Sequence, residues 1–352
     1  MPEMPKMYVR PVEIGDVDAL VKLAGTVDGH MTTLPRDEGA MTARVEASLA
    51  SFAARPETPG AEIYLFVLVD DGEIVGLSAI FATVGLDRPF YSYRVSKLAK
   101  KSPEIDIQVN TDVLHLVNDY GGSAELGTLF LRPDKRGGGR GRLLSYARLM
   151  FIVCQRKRFP ERIFAEIRGQ TDAADGSPFW DAVGRRFFKL DFAEADLLSG
   201  RDYRFIADLM PTLPIYVELL PDAARDAIGK VNDGALGAAR LLLDQGLSYS
   251  GLVDIFDAGA CLDARIDEVA VVHDAKHLAA VQATGQWATS KALVARACSD
   301  GFRVITSDAA VESGGKLSLS KRDLGLLGMN RGEHAVVYTI PTRDEKAPPE
   351  TS

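Results

Sequence analysis

Between residues 125 and 152 the chain reads ELGTLFLRPDKRGGGRGRLLSYARLMFI, where Gly137, Gly138, Gly139 and Gly141 are interspersed with Arg136, Arg140 and Arg142. Glycine has no side chain to hold a ligand away from the main chain, and arginine carries a fixed positive fork. Together they suit an anion, a phosphate above all. Their position decides how such an anion would be held. Leu126, Leu129, Phe130 and Leu131 predict a buried strand, which Arg132-Pro133-Asp134 ends. Leu143, Leu144, Ala147, Met150 and Phe151 recur every three or four residues and predict a helix with one apolar face. The glycines therefore fall at a strand-to-helix turn. There the first amides of the helix are unpaired and its positive end favours negative charge.

Two common phosphate-binding schemes do not fit. A dinucleotide-binding unit requires G-x-G-x-x-G after its first strand and an acidic residue roughly 20 positions on. Here the loop follows a later strand, and its spacing is Arg136-x-x-Gly139-x-Gly141. No Gly-Lys-Ser/Thr ends it, so it is not a Walker A loop either. Metal chemistry finds no support: His30, His115, His273, His277 and His334 show no ligand spacing on a shared face. His273 and His277 stand i and i+4 but fall in an expected turn, which makes them ordinary surface residues. Cys154, Cys261 and Cys298 lie far apart with no CxxC pair, so neither a zinc site nor a disulfide framework is read from them. A reducing cytoplasm is the simplest setting for them.

The elements around the loop follow from periodicity and turn chemistry. A short strand at MYVRP leads to Asp16 as an expected helix cap, with Val17, Leu20, Val21 and Ala24 on one helix face. A second helix follows TTLPRDEG, and two strands flank the Asp70-Asp71-Gly72 turn, a hairpin signal. Residues 86–123 read as irregular with strand-like patches. RIFAEIRGQ is a strand, SPFWDAVGRRFFKLDF a helix opened by a Ser-Pro cap, and GALGAARLLLDQGL a helix ending at Gly246. SYSGLVDIFDAGACLDARI is a strand with a turn, and Phe179 and Trp180 read as core. From about residue 263 short alternating segments predict a small separate β-rich domain. The expected organisation is a core over residues 1–262, that β-rich domain over 263–342, and a disordered tail over 343–352.

The 352 residues carry 41 Lys plus Arg against 49 Asp plus Glu, a net charge of −8. An acidic chain is poorly suited to neutralising nucleic-acid phosphates, so the local basic cluster at residues 135–142 points to a small phosphorylated ligand. No stretch approaches the ~18–20 apolar residues of a membrane span, and the first residues lack the apolar run of a secretory signal. The expectation is a soluble cytoplasmic protein with neither nucleic-acid nor membrane partner.

R-x-x-G-x-G between a strand and a helix, preceded by a hairpin, resembles the GNAT acyltransferases, whose loop holds the pyrophosphate of coenzyme A. The surroundings narrow the resemblance. VRPVEIGDVDALVKLA, TTLP, PFYSYRV, SAELGTLFLRPDKRGGGRGRLLS, AEIRG, SPFWDAVGRRFF, LMPTLPIYV and GLVDIFDAG are similar, in order, to segments of bacterial arginine N-succinyltransferases. The similarity runs from about residue 7 to 265 and more loosely beyond. It implies an α+β fold, with a mixed, mostly antiparallel sheet forming a GNAT-like core. It further implies transfer of a succinyl group from succinyl-CoA, as co-substrate and without a metal, to the α-amino group of L-arginine. That reaction opens a catabolic route to glutamate. Some relatives work as paired related subunits and some prefer ornithine, so a homo- or hetero-oligomer is expected.

Site residues follow from the same resemblance. The loop from Arg136 through Gly137, Gly138, Gly139, Arg140 and Gly141 would hold the pyrophosphate. Leu126, Gly127 and Thr128 would pair through their backbone with the pantetheine arm, and an amide there could stabilise the thioester oxyanion. The family's proton-donating histidine, in a V-H-P stretch, falls on Asn232 in IGKVNDGAL. Asparagine does not titrate. Three explanations stand open: thiolate departure tolerates the loss, Asp233 or Tyr120 substitutes, or the chain has drifted to another acceptor or a non-catalytic subunit role. Glu125 and Glu166, at strands expected near the splayed centre of the sheet, are candidate bases. Arg94 and Arg168 are candidates for the substrate carboxylates, and Asp254 or Asp257 for the substrate guanidinium.

Overall fold

The Asp70-Asp71-Gly72 turn illustrates how local chemistry sets the frame. Asp71 and Gly72 both take positive φ, 50° and 87°, the geometry that matches strand twist in a tight hairpin. In the computed structural model, which describes residues 6–27, 31, 33–172, 176–199, 204–283, 289–296, 301–312 and 315–341, this turn joins β2 to β3. The chain runs β1 (Met7–Pro11), α1 (Val17–Ala24), α2 (Glu38–Ala54), β2 (Ile63–Asp70), β3 (Glu73–Phe81), β4 (Ser92–Ser102), β5 (Ile107–Val117), β6 (Ala124–Leu131), α3 (Arg140–Cys154) and β7 (Arg162–Glu166). It continues through α4 (Pro178–Ala182), α5 (Gly184–Phe188), α6 (Phe192–Ser199), α7 (Arg204–Leu209), β8 (Ile215–Tyr216), α8 (Asp222–Ala227), α9 (Leu236–Leu243), β9 (Ser248–Val253) and β10 (Ala260–Arg265). Last come α10 (Ala270–Asp274), β11 (Lys276–Gln282), β12 (Ser290–Arg296), β13 (Arg303–Val311), β14 (Lys316–Leu319), α11 (Lys321–Leu327) and β15 (His334–Thr339). The expected tail, His30 and Cys298 lie outside the described residues.

The strands form one sheet in the order β12-β15-β11-β14-β13-β1-β2-β3-β6-β7-β10-β9-β4-β5-β8. Among the described residues only β6–β7 and β11–β14 pair in parallel, so the sheet is mixed and mostly antiparallel, the α+β arrangement expected. Alternation along β2 feeds two cores: Leu65, Val67 and Val69 face α1 and α2, while Tyr64, Phe66 and Leu68 face α3. Phe179 and Trp180 are buried in a third cluster around β4 and β9, as core residues.

Four local expectations are corrected. The α3 helix does not have one apolar face: each residue from Leu143 to Ile152 is buried, Ser145 and Arg148 included. The face read as solvent-exposed is covered by α9, α10 and C-terminal strands. The β-rich C-terminal part has its own core with α11, yet it is not a detached unit. Its β13 pairs with β1 at Val304 and Val9, and Leu293, Phe302, Val304 and Val336 join the α3 core. Residues read as irregular form the β4–β5 hairpin, eleven residues in each strand, with outer positions exposed on both sides, so no apolar alternation marked them. Asp16 does not cap α1 with its side chain; it takes Arg10 at 2.7 and 2.8 Å instead. In smaller detail, the Ser177-capped helix breaks at Val183 into α4 and α5, and His273 lies within the short helix α10 rather than in a turn.

Candidate active site

The β6–β7 pair defines the site. It is held only at Ala124 with Ile163 and Glu125 with Phe164. Beyond that point β6 stays with β3 while β7 stays with β10, where Glu166 opposes Cys261 and the Ile167 amide donates to the Ala260 carbonyl. The two strands splay, and a cavity of about 520 Å³ opens between them. A bulge sharpens the opening. Ala79 opposes Gly127 and Leu77 opposes Phe130, so two β6 residues, Thr128 and Leu129, face the single Ser78. Thr128 sits at φ 47°, a strained position for a β-branched residue, and it lines the cavity with Leu126 and Gly127. Gly127 is required there: a Cβ would lie 2.6 Å from the Phe81 ring.

The glycine loop occupies one end. Pro133 and Arg136 line the cavity, and residues 137–141 continue beyond it. Gly137, Gly138 and Gly139 all take positive φ, and no side chain caps α3, which leaves its first turn open to a ligand. Arg136 is exposed. Arg140 is placed differently from expectation: Nε and Nη2 bind the buried Asp70 carboxylate at 2.9 and 2.8 Å. That pair fastens the start of α3 to the end of β2 and engages the guanidinium with a protein carboxylate.

Four carboxyls line the far side: Glu125, Glu166, Asp254 and Asp257. Each glutamate keeps some surface open to the cavity while its carboxyl is enclosed by protein. Burial pushes Glu125 up to about 7, opposed by the guanidinium groups of Arg44 and Arg148. Burial pushes Glu166 well above the usual carboxylate range, and the charges of Asp254, Glu125 and Asp257 add to this. Glu166 Oε1 is closed to solvent and has no hydrogen-bond partner. Asp254 Oδ1 accepts the Phe256 and Asp257 amides at 2.7 and 2.8 Å, and burial with the Asp257 charge raises it. Asp257 uses both oxygens, Oδ2 for the Gly169 amide and Oδ1 for the Gly259 amide, each at 2.7 Å. The last pair thus ties the end of β7 to the β9–β10 turn, and Asp257 has no oxygen unengaged for a substrate guanidinium.

Arg168 lines the cavity, and its charge lowers Asp257 against the upward push of burial. Asn232 lines it too. Its Oδ1 accepts the Gly234 amide at 2.9 Å, its Nδ2 donates to Thr171 Oγ1 at 3.4 Å, and its amide donates to the Arg168 carbonyl at 2.9 Å. Three candidates lie elsewhere. Arg94 is half-exposed on β4 and paired with Asp119. Tyr120 stacks on Phe164 at 3.8 Å, donates to Ser250 Oγ at 2.8 Å, and is pushed up by burial, away from the cavity. Asp233 is exposed and does not line it.

Arg148 was not anticipated. It lines the cavity from inside α3, donates through Nη1 to the Gly127 carbonyl at 3.2 Å and through Nη2 to Ser145 Oγ at 3.0 Å, and burial lowers it to about 9. Its signal was a lone charge inside a run of apolar helix positions. Arg44, which donates to the Thr33 carbonyl beside the cavity and stands 5.7 Å from the Phe81 ring, gave none. Among the described residues no group of three or more His, Cys, Asp or Glu is placed to hold a metal, and no helix is long and apolar enough to cross a membrane.

A splayed strand pair, a glycine loop at a bare helix start, and a carboxyl-rich far wall can seat an acyl thioester against an amine. Comparison with known proteins agrees. Residues 7–271 match the family model described as arginine N-succinyltransferase beta subunit. The chain is 44% identical over 271 residues to arginine N-succinyltransferase of Yersinia pestis, covering 76% of this chain and 77% of that protein. It is 42% identical over 274 residues to arginine N-succinyltransferase subunit beta of Pseudomonas aeruginosa, covering 77% and 80%. Among solved structures, the arginine/ornithine succinyltransferase subunit AI from Pseudomonas aeruginosa superimposes with a TM-score of 0.85 at 32% identity, over 96% of this chain and 99% of that one.

Proposed function

Because the chain belongs to the arginine N-succinyltransferase family, we propose that it transfers the succinyl group of succinyl-CoA to the α-amino group of L-arginine, with ornithine as a possible second acceptor. It is an acyltransferase with an acyl-CoA co-substrate. The observation that carries the reading is the cavity at the β6–β7 splay, lined at one end by Arg136 and at the other by Glu166 and Arg168.

The chemistry divides along that axis. Coenzyme A phosphates lie on the glycine loop, with Arg136 adding charge. The pantetheine arm runs beside Leu126, Gly127 and Thr128, whose bulge turns main-chain polar groups toward the thioester, where an amide can stabilise the developing oxyanion. Arg168 takes a substrate carboxylate, and Asp254 faces the cationic acceptor. The amine must lose a proton to attack, and the departing sulfur must gain one. Asn232 holds its place by hydrogen bonds and supplies no proton.

The experiment is thiol release from succinyl-CoA by the purified protein with L-arginine, with ornithine and with no acceptor. Acceptor-dependent release by this chain alone supports the reading. Release only after addition of a related subunit would instead favour a non-catalytic or partner-dependent subunit, and release with some other amine a different acceptor. The relatives' shared activity disfavours both alternatives. We infer a role in arginine breakdown in the cytoplasm, in a homo- or hetero-oligomer whose mass light scattering would measure.

A further inference from the structure

We propose that Glu166 is the residue that takes the proton from the acceptor's amine. The proposal rests on the acyl-transfer reading for its reaction, and on the cavity for its geometry.

The cavity-lining residues include no histidine, cysteine, lysine or tyrosine among those described, so proton carriage falls to a carboxyl. Most of these are engaged. Asp257 gives both oxygens to backbone amides, and Asp254 gives one oxygen to two. Glu125 lies in the field of two guanidinium groups, those of Arg44 and Arg148. Asp196 is half-buried and keeps a more open setting. Glu166 alone presents a carboxyl oxygen that is closed to solvent and unpartnered. It also stands two residues beyond the last β6 pairing on β7, where the strands separate and the thioester must meet the amine.

An enclosed carboxyl without a donor is costly in its charged form, so it rests protonated unless a cation enters the cavity beside it. The groups facing Glu166 reinforce this: Asp254 and Asp257 from the β9–β10 turn, Glu125 from β6 and Cys261 across on β10. The nearby cations, Arg168 and Arg148, act on Asp257 and Glu125. A cationic acceptor reverses the balance. Its ammonium lies against the side of Glu166 that lines the cavity, and Glu166 ionises, releasing its proton to solvent. The ammonium then passes a proton to Glu166. The neutral nitrogen attacks the thioester carbon, the C–N bond forms and the C–S bond breaks. The second nitrogen-bound proton goes to the departing sulfur. Glu166 ends protonated, as it began, and one proton reaches solvent per turnover.

Binding therefore releases a proton before any chemistry, which separates this assignment from the overall activity. Titration calorimetry of L-arginine into the protein holding coenzyme A, at pH 7 in two buffers of different ionisation heat, should show close to one proton released per acceptor bound. Glu166→Gln should bind coenzyme A normally, release almost none, and lose about 10²–10⁴-fold in kcat while KM for succinyl-CoA moves little. Glu166→Asp should retain the proton release and a reduced kcat. Proton release persisting in Glu166→Gln, or a kcat within about threefold of the parent, overturns the assignment. If arginine does not bind, ornithine and lysine are titrated. Release that depends on Glu166 with either upholds the residue while the arginine reading fails, and no release with any amine refutes the residue.

Discussion

Arg148 Nη1 donates to the Gly127 carbonyl at 3.2 Å, joining the middle of α3 to the cavity strand one residue before its bulge. The same guanidinium is one of two that lower Glu125. Replacing it with methionine keeps length but leaves a carbonyl and a hydroxyl without their donor. Arg148→Met should destabilise the protein by about 3 kcal/mol, the order expected when one partner of a buried charged group is removed. Chemical denaturation measures this, and an unchanged midpoint would show that the link is not structural.

Glu125 predicts a pH trend. Its folded value is raised from 4.5 to about 7, so between those values the folded state holds more protons than the unfolded one. Its contribution to stability is present below about pH 4.5 and is lost as pH rises through about 7, by at most ~3 kcal/mol. Glu125→Gln should flatten this component of the stability profile. Denaturation midpoints of parent and variant across pH 5–8 test it, and parallel profiles would reject it.

The two loop arginines should separate cleanly. Arg136→Ala should raise KM for succinyl-CoA about tenfold with little change in kcat, the worth of one charge-assisted hydrogen bond of roughly 1.5 kcal/mol. Arg140→Ala should instead destabilise by about 3 kcal/mol, because it strands Asp70, whose Oδ1 already lacks a partner. Steady-state kinetics beside thermal melts distinguish them; a KM effect without a stability effect for Arg140→Ala contradicts the assignment.

Asn232→His places a titrating ring on the cavity wall at the cost of the 2.9 Å bond to the Gly234 amide. Turnover should rise by roughly tenfold, less than the ~10² of a fully placed general acid. An unchanged or reduced kcat would mean that the position no longer bears on proton transfer in this chain.

Much of this was legible where the chemistry is local. The hairpin at Asp71-Gly72, the strand leading to the glycine loop and the helix after it are each dictated by residues within a few positions of one another. The cavity wall was partly legible, since Glu125, Glu166, Arg168 and Asn232 lie at strand ends that the motifs fix. What escaped depends on distant pairing. Arg140 reads as a phosphate ligand until Asp70, seventy residues earlier, is seen beneath it. Arg148 reads as solvated until α9, α10 and the C-terminal strands close over α3. Arg94 sits on β4, several strands away from the β6–β7 splay, and Tyr120 packs into an aromatic cluster with Phe164 rather than lining the cavity.

The pairing of β1 with β13 has a consequence during synthesis. β1 leaves the ribosome well ahead of Val304, which covers its outer edge opposite Val9 and is made almost 300 residues later. At ~5–20 residues per second the edge stays bare for tens of seconds. A bare strand edge invites pairing with another nascent chain. The β-rich part thus acts as the lock on the free edge of β1, and a message cut short before β13 would yield an association-prone chain however complete its catalytic cavity.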